Sequence, residues 1–435
     1  MAEIIFGIDH GNGNMKGENV CFPCGLVRYV SEPGRFMNED ILEYQGTYYT
    51  LSDTKRPFKA DKTVDDDYFI LTLYALAMEA RNKGITLTGK DVVLGVGLPP
   101  ADYGQQATSF KKYFLDHAKH GISFKMNGKS VNFYLKDVFV SPQNFAAVMC
   151  FKASLLKKYR TVNCIDIGDG TVDLLVIRNG KPDLSVRVSD RSGMAVLRSE
   201  ISNAIQQNYG IHLDSSDVEQ VLMQEETILD EEIILEIQRM AENWLQRIIN
   251  KLHTHVTDFR TNPAVFLGGG SLLLRKQIEN SPEFKYVEFI DDVRANAIGY
   301  EKLTTARLRR GSEVLVMGQI KVVLIFNEDD ERQREAGEYL KTKKRCKTAL
   351  VTELVHAWMK NGETAVNTVS SAGNINIEDI KKQLLQDKDF LSRIEKSMTE
   401  IGNQNNLEAE SEDNENLDMD EDMMLAGLSM FDSEI

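Results

Sequence analysis

The chain has 435 residues, with 51 Lys and Arg against 66 Asp and Glu, a formal net charge of −15. Its 42% hydrophobic and 27% charged residues make a globular balance, and at roughly 100–200 residues per domain two to four domains are expected. No apolar run reaches the roughly 18 residues of a membrane-spanning helix, the N-terminus has no basic n-region, and five Cys are too few for a disulfide scaffold; a cytoplasmic protein with no membrane partner is expected. The acidic excess is uneven. Residues 404–435 hold 11 acidic and no basic side chains, whereas residues 304–359 hold 11 basic and 8 acidic ones. The net sign therefore does not exclude a polyanionic partner.

Residues 1–303 read as mixed α/β. Strand-like apolar runs lie at Ile4–Ile8, Val92–Val96, Asn163–Ile167, Leu174–Ile177 and Ala264–Leu267. Helical periodicity lies between them, at Tyr68–Asn82, Phe145–Tyr159, Gly193–Tyr209 and Glu231–His253. Residues 304–317, with Arg307, Arg309, Arg310 and Gly311, read as a basic linker. A compact pattern follows within 318–400: a strand over Gln319–Phe326, a helix over Asp329–Lys341, a basic turn and a helix over Thr348–Lys360. Residues 401–435 form an acidic tail, of which 402–422 has a disordered composition.

One internal repeat carries chemistry. Asp9-His10-Gly11-Asn12-Gly13 and Asp166-Ile167-Gly168-Asp169-Gly170 share Asp-x-Gly-x-Gly, and each lies between two strand-like runs. Each predicts a tight hairpin turn with a carboxylate near the end of its first strand. Successive backbone N–H groups in such turns make an anion-binding concavity. Two of them facing each other would cradle a polyphosphate, and the two Asp would hold Mg²⁺ largely through water, as that ion prefers. A third run, Gly268-Gly269-Gly270-Ser271, follows the strand Ala264–Leu267 and suits close approach to a nucleoside. No Gly-x-Gly-x-x-Gly opens a helix in Rossmann fashion, and no Walker A loop is present. Cys21-x-x-Cys24 has no second Cys pair or His cluster to complete a zinc site, so free thiols are expected.

Five motifs in order resemble those of the actin superfamily. They are Asp9-x-Gly11-x-Gly13-x-x-Lys16, Val140-Ser141-Pro142-Gln143, Asp166-x-Gly168-Asp169-Gly170-Thr171, Phe266-Leu267-Gly268-Gly269-Gly270-Ser271 and Ala295-Asn296-Ala297-Ile298-Gly299-Tyr300. Residues 291–303 look closest to the bacterial plasmid-segregation actins of ParM type. The resemblance implies an actin-like two-lobed ATPase fold of duplicated ribonuclease-H-like domains over 1–303. It implies ATP (or GTP) with Mg²⁺ between the lobes, slow hydrolysis, and self-assembly into a polar filament. Residue by residue it places Gly11, Asn12, Gly13, Asn14 and Lys16 on the first phosphate loop, and Gly168, Asp169, Gly170 and Thr171 on the second. Gly268, Gly269 and Gly270 fall at the adenosine site, Asp9 and Asp166 around the metal, and Gln143 where the attacking water is oriented. Asp9, Asp166 and Gln143 are thus the candidate catalytic set. Asp173 departs from the eukaryotic actin pattern, which has His there, and many ParM-type proteins have Glu where Gln143 stands.

The segment 318–400 resembles the ribbon-helix-helix DNA-binding adaptor (ParR type) that such actins use. The resemblance implies a dimer through paired strands and plasmid centromere-like DNA repeats as partner. Alternation along the strand puts Gln319 and Lys321 on one face, as groove contacts. Lys343, Lys344, Arg345, Lys347 and Thr348 at the helix start suit DNA phosphates. In the tail, Met424, Leu428 and Phe431 fall at i, i+4 and i+7 on one helical face, behind an acidic run that suits a helix start. They are the expected filament-docking residues of a helix-in-groove contact. The sequence reading is thus a DNA-segregating actin fused to its own adaptor. A small-molecule (sugar-type) kinase on the same fold and a nucleotide-sensing DNA-binding repressor stand as alternatives.

Overall fold

A computed structural model describes residues 3–34, 40–54, 61–256, 259–316 and 419–432. All of these belong to one compact unit, which takes in the C-terminal segment of the chain. The expected ribbon-helix-helix module, with Gln319, Lys321, Lys343, Lys344, Arg345, Lys347 and Thr348, lies outside the described residues.

The strands form two sheets, one per lobe. In lobe I, β1 (Ile4–His10), β2 (Asn14–Lys16) and β3 (Cys21–Pro23) pair antiparallel, and β7 (Lys90–Leu98) and then β9 (Lys129–Pro142) add in parallel on the other side of β1. β8 (Ile122–Met126), β5 (Leu42–Tyr44), β6 (Thr47–Ser52) and β4 (Gly25–Tyr29) extend that sheet to nine strands. In lobe II, β10 (Thr161–Ile167), β11 (Val172–Arg178) and β12 (Lys181–Asp190) pair antiparallel, and β13 (Ala264–Leu267) and β14 (Val287–Phe289) add in parallel beyond β10. The strand order third-second-first-fourth-fifth, with the same pairing senses, occurs in both lobes. The repeated Asp-x-Gly-x-Gly motifs therefore occupy equivalent places: each is the turn of the first hairpin of its lobe.

Sequence patterning explains the helices that cover these sheets. α7 (Glu231–Leu252) buries Ile233, Ile237, Ala241, Trp244, Leu245, Ile248, Ile249 and Leu252, a stripe at helical spacing. Trp244 is a core residue. α1 (Asp67–Asn82) is buried nearly all round, in keeping with its run of Phe, Ile, Leu and Tyr. α2 (Tyr103–His117) packs with β9, and α5 (Met194–Tyr209) and α6 (Ser215–Leu222) with α7. α6 opens on a reciprocal capping box between Asp214 and Asp217, which satisfies its first N–H groups.

Two expectations are corrected. The periodic stretch Phe145–Tyr159 is two helices, α3 (Phe145–Phe151) and α4 (Ala153–Lys158), because Lys152 leaves helical geometry at φ −138°. After α8 (Gly269–Leu273) and α9 (Arg275–Asn280), α10 runs over Ala295–Val316. The stretch read as a linker from residue 304 thus continues the last helix of lobe I, with Thr304 and Ala306 buried. Periodicity survives there: Leu303 and Ala306 face the core while Arg309 and Arg310 face out. The last described helix, α11 (Glu421–Asp432), packs on α3, α10 and β12.

Candidate functional site

The two hairpin turns face each other across a cleft of ≈ 640 Å³ between the lobes. The approach is close: a Cβ on Gly13 would lie 2.8 Å from Asp169 Cβ. Gly11, Asn12, Gly13, Asn14 and Lys16 line one wall, and Gly168, Asp169, Gly170 and Thr171 the other. Gly268, Gly269 and Gly270 line the cleft near Leu272, Leu273 and Met223. Gly268 takes φ +85°, and a Cβ there would meet Asp166 Oδ1 at 2.2 Å, so only glycine fits this turn. Every nucleotide-site residue expected from sequence is thus gathered in one cavity. His10, the second residue of the first motif, is turned away: it is fully buried, bonded to Thr72 Oγ1 at 2.8 Å and packed on Phe110 and Phe114. Burial, with Lys62 nearby, keeps it well below the usual histidine range.

Register sets the charges. Asp9 stands directly across the first hairpin from Lys16, whose Nζ donates to Asp9 Oδ2 at 3.4 Å. Burial works to discharge Lys16, but the carboxylates of Asp9 and Asp166 outweigh it and hold the ammonium above its ordinary range. At the equivalent place in lobe II, Asp166 stands across from Asp173. Like charges directly opposed in a ladder are unfavourable. Burial, helped by Asp9, pushes Asp166 up to about 6, while Lys16 and an amide from Asn296 oppose it. Burial and the Asp166 charge push Asp173 up to about 7, against the hydroxyls of Ser189 and Thr171. Thr171 Oγ1 donates to Asp173 Oδ2 at 2.9 Å; Asp173 Oδ1 is buried without a hydrogen-bond partner.

The segments that join the lobes complete the site. Gln143 Nε2 donates to Asp9 Oδ1 at 3.1 Å. Asn144, at φ +61°, donates from Nδ2 to the Asp173 carbonyl at 3.1 Å. Its backbone N–H donates to Asn296 Oδ1 at 3.0 Å, and Asn296 Nδ2 donates to Asp166 Oδ2 at 3.0 Å. An amide chain therefore ties both crossing points to the carboxylates of Asp9 and Asp166.

Sequence reasoning missed four participants. Asn296 lay inside a quoted motif without a role. Arg198, on α5, pairs with Asp169 and, at 3.1 Å, with Glu219, which fixes the second turn. Lys62 reaches the cleft from the segment before α1 and donates to the His10 carbonyl; burial lowers its pKa, against Asp9 and Asp173. Nothing in its local sequence marks it. Asp173 did carry a signal: it follows Asp166 by the same spacing as Lys16 follows Asp9. Cys21 is an exposed free thiol and Cys24 a buried one donating to the Gly11 carbonyl at 3.1 Å. Among the described residues no cluster of His, Cys, Asp and Glu forms a ready metal site.

The carboxyl pair makes a stability prediction. Folded Asp166 and Asp173 hold their protons to about pH 6 and 7, against an ordinary 3.8. Their contribution to stability is full below about pH 4 and is lost as pH rises through 6 to 7. Asp173→Asn should therefore stabilise the nucleotide-free protein at pH 8 by on the order of 2–3 kcal/mol and have little effect at pH 4. Thermal melts at the two pH values check this; an equal shift at both would contradict it.

Comparison with known proteins agrees with the geometry. A profile for the N-terminal domain of actin-like proteins matches residues 7–145, and one for the C-terminal part of an archaeal MreB-like actin homologue matches residues 164–280. The chain has an actin-like two-lobed fold. A search of curated protein sequences finds no match. Among solved structures, this actin-like chain superposes on Ta0583, an archaeal actin homologue, with TM-score 0.57 and 19% identity, over 70% of this chain and 99% of that one. The complex of Ta0583 with ADP gives 0.53 and 19%, over 69% and 98%. The apo psk41 ParM protein gives 0.53 and 16%, over 71% and 98%, and the Alp12 filament structure 0.52 and 16%, over 71% and 100%. At these identities the likeness is one of fold. Among the described residues no helix is long and apolar enough to cross a membrane.

Proposed function

We propose that this actin-like protein binds ATP, or GTP, with Mg²⁺ in the interlobe cleft, hydrolyses it slowly, and assembles into polar filaments that segregate plasmid DNA. The observation that carries the nucleotide reading is the pair of facing Asp-x-Gly-x-Gly hairpins with Lys16 held by both carboxylates. The residues fit such a ligand. The buried, unpaired Asn12 Oδ1 and Asp173 Oδ1 offer acceptors to water molecules around the phosphates, and Lys16 and Lys62 offer positive charge. Mg²⁺, held by Asp9 and Asp166 largely through water, would shield the phosphate oxygens. Gln143 orients the attacking water, and Asp173 is the carboxyl whose pKa suits accepting its proton. The ADP complex of Ta0583 and the Alp12 filament support nucleotide use and self-association on this fold.

The DNA part of the proposal rests on the strand-helix-helix pattern and basic turn of residues 318–400. That module dimerises, binds centromere-like repeats, and couples them to the filament. Replacing Lys344 and Arg345 together with Ala should weaken DNA binding and flatten its dependence on salt by about two ion equivalents; an unchanged slope counts against that site.

Light scattering with ATP, with and without the plasmid's repeat DNA, tests the whole reading. Wild type should scatter on ATP addition and Asp166→Ala should not. No nucleotide-dependent scattering at high protein concentration would overturn the filament. ATP consumption that needs an added small-molecule acceptor would favour a kinase.

A further inference from the structure

The two duplicated turns differ in charge at one place. Asn12 fills the fourth position of the first motif, and Asp169 fills it in the second. A carboxylate in a turn that receives phosphate repels its ligand unless a cation answers it. Asp169 stands where the two turns approach each other, its Cγ 2.9 Å and its Oδ2 3.1 Å from where a Gly13 Cβ would lie. A polyphosphate lying between the turns must pass beside this carboxylate. The answering cation is Arg198, in the second turn of α5. Its Nη2 donates to Asp169 Oδ1, and its Nη1 donates to Glu219 Oε1 on α6 at 3.1 Å. All three side chains line the cleft. The Arg198 side chain is only 8% exposed, so its charge acts through poorly solvated surroundings, where it counts most. The backbone beneath is fixed as well. The Met194 and Ala195 N–H groups of α5 donate to the carbonyls of Gly168 and Asp169 at 3.0 and 2.9 Å.

We infer that Arg198 is a positioning residue for phosphate binding: it neutralises Asp169 and holds it against α5, so that the second turn can receive a polyphosphate. This rests on the nucleotide reading of the cleft. Arg198 acts through Asp169 and not as a phosphate ligand, because both of its outer nitrogens are engaged on carboxylates. Glu219 holds the guanidinium from the far side, and the rigid fork then presents its other arm to Asp169. A charge shield and a mere brace differ in sign. Were the ion pair a brace for the turn, losing either partner would harm phosphate binding alike. With Arg198 as a shield, losing Arg198 harms binding, losing the Asp169 charge does not, and losing both cancels. The first turn shows that an amide suits this place, since Asn12 already occupies the equivalent one.

A double-mutant cycle in the full chain tests it. Arg198→Met, Asp169→Asn and the double variant are titrated with a fluorescent ATP or GTP analogue in Mg²⁺, whichever the wild type takes. Arg198→Met should bind about 30-fold more weakly, because it leaves an unanswered carboxylate beside the phosphates. Asp169→Asn should bind as tightly as wild type or up to about tenfold more tightly. The double variant should return to within about threefold of wild type. Melting of the nucleotide-free proteins is followed in parallel. Where Arg198→Met lowers the melting temperature, Arg198→Gln removes the charge and keeps a donor; it should show the same loss and the same rescue by Asp169→Asn. Weaker binding by both single variants with no rescue in the double would reduce the pair to a brace and overturn the inference. Binding by Arg198→Met equal to wild type would overturn it as well. A wild type that binds neither nucleotide would overturn the cleft reading and the inference with it, an outcome separate from the other two.

Discussion

Asp173→Asn should lower ATP turnover by about 100-fold while changing ATP affinity less than threefold. General-base assistance is worth roughly 10²–10⁴ in rate, and an amide in place of the carboxyl keeps the shape of the site but accepts no proton. Asp173 meets the requirements of such a base. It lines the cleft, its Oδ1 is without a partner, and burial beside Asp166 brings it up to about 7, close to working pH. Gln143 cannot take that part, because a neutral amide orients water but is a poor base, and its Nε2 is held on Asp9. Gln143→Ala should cost about tenfold through lost positioning. The signature is in the assembly. Filaments of Asp173→Asn should form on ATP addition and outlast wild-type filaments, since hydrolysis is the step removed. Single-turnover hydrolysis with parallel scattering measures both; normal turnover in the variant would assign the proton to another acceptor.

The cleft was legible in the sequence because its chemistry is local. Each hairpin announces itself through a carboxylate, two glycines and flanking apolar runs, and duplication doubles the signal. The same duplication held a further message in the spacing from Asp9 to Lys16 and from Asp166 to Asp173. Turn geometry fixes cross-strand register, so equal spacing means equal placement. What stayed hidden came from elsewhere in the chain. Lys62 reaches the cleft by tertiary placement alone, and Arg198 acts on Asp169 from α5, outside every motif read in the sequence. The break at Lys152 was invisible because Ala153–Lys158 is as good a helix former as the turn before it. The tail was the reverse case. Met424, Leu428 and Phe431 were read correctly as one face, but nothing local marked Gly427, where a Cβ would fall 2.6 Å from the Phe145 ring and 3.3 Å from Pro182 Cδ.

Lys16→Ala should weaken ATP binding by about 100-fold, or ~2.7 kcal/mol, and raise the Mg²⁺ concentration needed for binding. Without Lys16, Asp9 and Asp166 share a buried site that has lost the cation bonded to Asp9, and a polyphosphate must enter beside both. Asp166 is already above its usual range with Lys16 present; losing the ammonium raises it further, so part of the variant's cleft is neutralised by protons. ATP binding by the variant should therefore recover partly as pH falls from 8 to 6, the reverse of what loss of a phosphate contact alone would give. Lys62→Ala is the comparison. Its ammonium is spent on the His10 carbonyl and burial lowers its pKa, so its removal should cost about fivefold or less. Calorimetric titration of both variants at pH 6 and 8 measures the difference. Equal losses at the two positions, or no recovery of Lys16→Ala at low pH, would mean that the phosphates are held by the backbone turns and not by the charge between the two aspartates.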